Sequence, residues 1–175
     1  EMARQVRAQA ETAIGEAALI LLVVDGAAGI GPGDEDLAQM VRRSKKPALL
    51  VVNKVDDFSR VDIVHEFHAL GMGDPVPVSA LHGTGSGDLL DLVVSSLGEP
   101  AADERPQEAG EISVAIVGRP NAGKSSMMNR LLGDERVIVS AEPGTTRDSI
   151  DTVLEQEGAA YRFIDTAGLR RPGKL

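Results

Sequence analysis

The chain has 175 residues, 42 % of them apolar, which is enough for one ordinary core or two partial ones. With four aromatic side chains, no Trp and no Cys, it lacks the means for an aromatic-rich β-sandwich, a disulfide framework or a thiolate metal site; an aliphatic α/β core in a reducing, cytoplasmic setting is the expectation. No apolar stretch approaches the roughly 18–20 residues of a membrane span. The net charge of −9 is uneven, with 9 basic against 18 acidic side chains in residues 1–110 and 9 against 9 in 111–175, and neither a membrane nor DNA is expected as a partner.

Residues 2–17 have a helical composition. ALILLVVDG (18–26) is a bare apolar run of the kind a doubly covered parallel strand shows, closed by an Asp-Gly turn. After the loop GAAGIGPGD, residues 34–45 predict a helix with acids in its first turn and bases in its last. PALLVVNKVD (47–56) is a second buried strand, and a helix over 61–70, a strand over 75–80, the loop LHGTGSG and a helix over 88–97 follow. Residues 98–110, rich in Pro, Ala and charge, have no apolar period and read as an exposed linker. The pattern then restarts. A buried strand spans 111–118, GKSSMMNRLLG is a helix, 134–148 is a loop, and SIDTVLEQEG with AAYRFIDTAG forms a hairpin before the loop LRRPGKL. Such alternation predicts an α/β fold of three layers around a mostly parallel sheet.

GRPNAGKS (118–125) lies between a strand and a helix start and fits the phosphate-loop pattern G-x-x-x-x-G-K-[ST]. Glycines at 118 and 123 let backbone N–H groups wrap phosphate oxygens beside a helix N-terminus. Lys124 would neutralise the β- and γ-phosphates, and the Ser125 hydroxyl would take one Mg²⁺ position. Arg119, Pro120, Asn121, Ala122 and Ser126 complete this nucleotide-binding stretch. In DTAG, Asp165 would hold Mg²⁺ through water and the Gly168 N–H would sense a γ-phosphate, with Thr166 and Ala167 between them. PGTTRD offers the hydroxyls of Thr145 and Thr146, of which Thr146 is favoured for the Mg²⁺ shell.

Base selection is assigned to NKVD. Asp56 can accept hydrogen bonds from guanine N1–H and the exocyclic amine, whereas adenine presents an acceptor at N1 and leaves the carboxylate unpaired. Asn53 would hold the loop, the Lys54 stem would cover the base plane, and in SALHGTG, beside Ser79, the Ala80 N–H would meet the guanine carbonyl. The placement of NKVD at a strand's carboxyl end suits this role, because ligands of open α/β sheets bind there. His82, and the i, i+3 pair His65 and His68, have no partner or third ligand in sequence and receive no catalytic role.

Together NKVD, SALHGTG, GRPNAGKS, PGTTRD and DTAGLRR resemble the Der (EngA) family of bacterial tandem-domain GTPases, over essentially the whole chain. The resemblance implies that residues 1–97 are the back half of a first G domain, 98–110 a linker, and 111–175 the front half of a second. The first domain's phosphate loop would lie upstream of Glu1, and the second domain's base-reading motifs and a KH-like domain beyond Leu175. It further implies Mg²⁺-dependent hydrolysis of GTP to GDP, used as a switch in assembling the large ribosomal subunit on its rRNA. The implied catalysis is atypical, since Leu169 follows DTAG where Ras-like GTPases place a water-orienting Gln. Related enzymes with this replacement use K⁺ near the phosphates, held partly by an Asn at the place of Asn121.

The motif order leaves a second wiring open, that of circularly permuted GTPases, in which both halves form one composite sheet and one nucleotide site. G-domain chain ends lie close together, so residues 98–110 can join them. A nucleotide-binding scaffold without turnover is a third reading, and adenine use would require NKVD and GRPNAGKS to serve different pockets.

Overall fold

The computed structural model describes residues 2–97, 111–133, 138–140, 152–156 and 159–165. In chain order these form α1 (Met2–Glu16), β1 (Leu19–Asp25), α2 (Pro32–Ser44), β2 (Ala48–Asn53), α3 (Val61–Glu66) with a 3₁₀ turn (Phe67–Leu70), β3 (Val76–Pro77) and α4 (Ser86–Leu97). After residue 110 come β4 (Glu111–Val117), α5 (Lys124–Leu132), β5 (Ile138–Ser140), β6 (Thr152–Gln156) and β7 (Ala159–Asp165). All seven strands belong to one sheet in the order β3-β2-β1-β4-β7-β6-β5. The first five are parallel neighbours, and β6 and β5 continue the sheet antiparallel.

The join between the two halves of the sequence is therefore a strand pair. β1 lies parallel to β4, Leu19 opposite Val114 and Leu22 opposite Val117. Alternation along β1 explains why its sequence is apolar at every position: Leu19, Leu21 and Val23 enter the core under α4 and α5, while Ile20, Leu22 and Val24 enter the core under α1, α2 and α3. β4 does the same with Val114 and Ile116 on one face and Ala115 and Val117 on the other. The helix α1 packs on β4, and α4 touches α5, so elements of each half cover the other. Fully burying one such aliphatic side chain stabilises by roughly 1.5–3 kcal/mol, so the burial along β1 and β4 contributes strongly to holding the two halves together.

Of the two wirings the sequence allows, the composite sheet is the one observed. Further details differ from the sequence reading. The segment 134–148, expected as loop, contains β5, paired with β6. The helix expected from residue 34 starts at Pro32, whose fixed φ and missing N–H suit the first turn, and the Asp34 carboxylate accepts the Gly31 N–H at 2.9 Å. The helix expected over 61–70 tightens to 3₁₀ at Phe67 and ends at Gly71 in the left-handed region. The strand expected over 75–80 is reduced to Val76–Pro77, consistent with two prolines on an edge.

One sheet across the seam has a direct consequence. A protease site engineered within 98–110 and cut after purification is expected to leave residues 1–97 and 111–175 co-eluting on size exclusion and melting in one transition. Separate elution would show two independent bodies.

Candidate nucleotide-binding site

The carboxyl ends of β2, β1 and β4 lie side by side, which sets NKVD next to GRPNAGKS. Asn53, the last residue of β2, is only 2 % exposed and joins two loops. Its Oδ1 accepts the Ala80 N–H at 3.0 Å, and its Nδ2 donates to the Ala122 carbonyl at 3.0 Å. A buried amide without such partners would cost several kcal/mol; here both ends are satisfied, one by the base-reading loop and one by the phosphate loop. The same contact explains a glycine. A Cβ at position 123, where φ is +93°, would collide with Asn53 Nδ2, and a Cβ at 118 would collide with the Val23 carbonyl oxygen of β1. Both phosphate-loop glycines are thus required by the packing of the seam as well as by access to a phosphate.

Asp56, Ser79 and Ala80 lie together around Asn53. The Asp56 carboxylate is exposed, accepts the Ser79 hydroxyl at 2.8 Å and lies 3.8 Å from His82 Nε2. The Ala80 N–H, expected to be offered to guanine, is donated to Asn53, so a base carbonyl would have to share it. Lys54 sits at φ +65°, a region costing an L-residue about 1–2 kcal/mol, and its ammonium is paired with Asp25 at 2.5 Å. Asp25 Oδ1 in turn accepts the Ala27 and Ala28 N–H groups at 2.9 and 3.0 Å. Burial raises the Asp25 pKa, but the Lys54 hydrogen bond and the two backbone N–H groups outweigh it and hold the carboxyl below its ordinary value. The sequence reading missed Asp25, because its partner Lys54 lies 29 residues further along the chain.

In the phosphate loop, Lys124 is buried and donates to the Gly118 and Arg119 carbonyls at 2.9 and 2.8 Å, so its ammonium is held within the loop. Asn121 adopts φ +64°, which Asn tolerates, and is exposed with Pro120. Arg119 differs from expectation. Its Nε donates to Asp34 at 2.8 Å and its Nη2 to the Gly29 carbonyl at 3.3 Å, so its guanidinium braces the loop against α2 and only its backbone remains for a nucleotide. Asp34 is fully buried, and leaving such a carboxylate without its partner typically costs about 3–5 kcal/mol. Ser125 and Ser126 are exposed on the first turn of α5, and the register sets Asp165 opposite Ile116, beside the strand that feeds the loop. An exposed hydroxyl at Ser125 and a carboxylate residue at the adjacent strand end are hard oxygen donors, which suit Mg²⁺. Thr145, Thr146, Thr166, Ala167, Gly168 and Leu169 lie outside the described residues. Among the described residues no group of three His, Cys, Asp or Glu side chains is placed to hold a metal, His65 and His68 merely stack at 5.6 Å, and no helix is long and apolar enough to cross a membrane.

Parallel sheet, phosphate loop at the end of β4 and NKVD at the end of β2, one strand removed, define the class of P-loop, GTPase-type nucleotide-binding domains. Comparison with known proteins agrees. Residues 113–174 match the family model described as 50S ribosome-binding GTPase. GTPase Der of Pelotomaculum thermopropionicum is 54 % identical over 175 residues, all of this chain and 39 % of its own length. That of Desulforudis audaxviator is 53 % identical over the same span and share, and that of Moorella thermoacetica 54 % over 171 residues, 98 % of this chain and 38 % of its own. Over its whole length the chain is similar to these GTPase Der proteins, and it spans about two-fifths of their length. Among solved structures, YjeQ from Thermotoga maritima shares the fold with a TM-score of 0.56 at 18 % identity, covering 87 % of this chain and 48 % of that one.

The Lys54–Asp25 pair gives a pH signature with a definite sign. Because the folded-state pKa of Asp25 is lowered, the pair's contribution is present above the unfolded value of about 3.9 and lost as pH falls through the lower folded one. The Tm difference between wild type and Asp25→Asn should therefore be flat from neutral pH to about pH 5 and shrink in stronger acid. A difference that instead changes around pH 6–7 would assign the effect to another group.

Proposed function

We propose that this chain binds GTP and GDP in one composite pocket and hydrolyses GTP with Mg²⁺, as part of a cytoplasmic switch that acts in assembly of the large ribosomal subunit on its rRNA. The observation that carries the nucleotide site is the Asn53 bridge from the Ala80 N–H to the Ala122 carbonyl, which sets the guanine reader beside the phosphate loop. The ribosomal role is supported by the description of the matching family, and hydrolysis by the names of the relatives. We further propose that residues 1–97 correspond to the back half of one G domain and 111–175 to the front half of the next, joined by 98–110, the two halves complementing each other here within one sheet.

In this mechanism the chain's own residues position and neutralise. Lys124 exchanges the Gly118 and Arg119 carbonyls for phosphate oxygens, and the N–H groups of the loop and of the first turn of α5 complete the cradle. Mg²⁺, when bound, would neutralise charge developing between the β- and γ-phosphates, with Ser125, Thr146 and Asp165 as the side chains holding it. Leu169 cannot orient a water by hydrogen bonding, so Asn121 is assigned to a K⁺ ion that supplies positive charge at the phosphates in place of a side chain. Thr145 and the DTAG residues Thr166, Ala167 and Gly168 are assigned to the γ-phosphate-sensing segments.

Asp56→Asn tests the pocket. The amide can no longer accept both guanine N–H groups, and GTP affinity should fall by two orders of magnitude or more, on the order of the discrimination a mismatched polar site shows. Xanthine nucleotides should gain, because the new N–H can donate to the carbonyl they carry at C2. Unchanged GTP affinity would mean that NKVD does not serve this phosphate loop. Potassium use is checked by phosphate release: the rate should be higher in KCl than in NaCl, and the difference should vanish in Asn121→Ala. Equal rates in the two salts would remove K⁺ from the mechanism.

A further inference from the structure

Arg130 lies on α5, the helix that begins with Lys124, yet its side chain reaches into the base-reading loop. Its Nε donates to the Ala80 carbonyl at 3.0 Å and its Nη2 donates to the Leu81 carbonyl at 2.7 Å. The loop curves around this guanidinium. Gly83 stands at φ +76°, and a Cβ there would come within 3.1 Å of Arg130 Nη1. From the other side the same loop is held by Asn53 at the Ala80 N–H, by the Ser79 hydroxyl on Asp56 and by the bridge between Ser79 and Thr84. The N–H face of Ala80 is thus set by Asn53, and the carbonyl face of Ala80 and Leu81 by Arg130.

A planar guanidinium donating to two successive carbonyls fixes the orientation of both peptide planes, which a single ammonium cannot do. We infer that Arg130 is a positioning residue for guanine recognition: it ties the phosphate-binding helix to the loop 79–85 so that the Ala80 N–H and the Asp56 carboxylate stand at a fixed distance from Lys124. This inference rests on the composite guanine-nucleotide site proposed above. Arg130 acts through the loop, and it makes base reading depend on the element that binds phosphate.

The test separates base reading from phosphate binding and from folding. Affinities for GDP and ADP are measured by displacement of a fluorescent nucleotide in wild type, Arg130→Ala and Arg130→Lys, with Tm recorded for each. Loss of two hydrogen bonds from a charged donor should weaken GDP binding about tenfold in Arg130→Ala. ADP binding, which uses Gly118–Ser125 alone, should stay unchanged, and Arg130→Lys should fall between wild type and Ala for GDP. A parallel loss of GDP and ADP affinity, or GDP affinity unchanged in both variants, overturns the inference. A wild-type chain that binds GDP no better than ADP overturns the guanine reading itself, and the two failures are thereby distinguishable.

Discussion

The carboxamide of Asn53 is the contact on which the site depends. It is buried at the end of β2 and spends its oxygen on the Ala80 N–H and its nitrogen on the Ala122 carbonyl. A carboxylate at the same place could accept the first bond but could not donate the second. An aliphatic residue of similar size would leave a buried N–H and a buried carbonyl unpaired, each costing about 1–3 kcal/mol. The amide therefore dictates its surroundings, including a residue without a side chain at Gly123, directly against Nδ2.

Around that contact further polar ties run between the two segments of the chain. Arg119 reaches back to Asp34 and Gly29, and Arg130 reaches to Ala80 and Leu81. These bonds are few beside the apolar burial on either face of β1 and β4, and that burial contributes more to holding the segments together. The polar ties do something burial cannot. Non-directional packing brings strand ends near one another, while amide and guanidinium bonds fix loop orientation to the tenths of an ångström that recognition of a base and a phosphate requires.

Much of this was legible in the sequence because it is local. Bare apolar runs marked the doubly covered strands, and GRPNAGKS and NKVD stand as consecutive strings at the ends of two of them, β4 and β2. What escaped was of two kinds. Short features lost their signal to neighbours: β5 is three residues long and exists through its pairing with β6, and the edge strand β3 is cut to two residues between prolines. Long-range partners left no local mark. Nothing in the string VVDG shows that Asp25 will take the Lys54 ammonium, and nothing in MMNRLL distinguishes Arg130 from a solvated helix residue. Arg119 shows the converse, since its position inside a phosphate-loop motif suggests a ligand contact while its side chain is used for a brace. Which of the two wirings the motif order serves was likewise undetermined by local pattern, because strand pairing is decided by edges far apart in the chain.

The strand order carries a kinetic meaning. β1 lies near the middle of the sheet, but one of its two neighbours, β4, belongs to the distant half of the sequence, with Leu19 waiting for Val114. Loop-closure entropy must be met before that contact returns anything, so the topology places the chain among slow-folding, high-contact-order proteins. Until β4 arrives, β1 presents an edge of Leu, Ile and Val with unpaired N–H and C=O groups, the surface most prone to pair with another chain. In this sheet the arrival of β4 therefore does two things at once: it completes the core on both faces of β1 and removes the edge at which another chain could add.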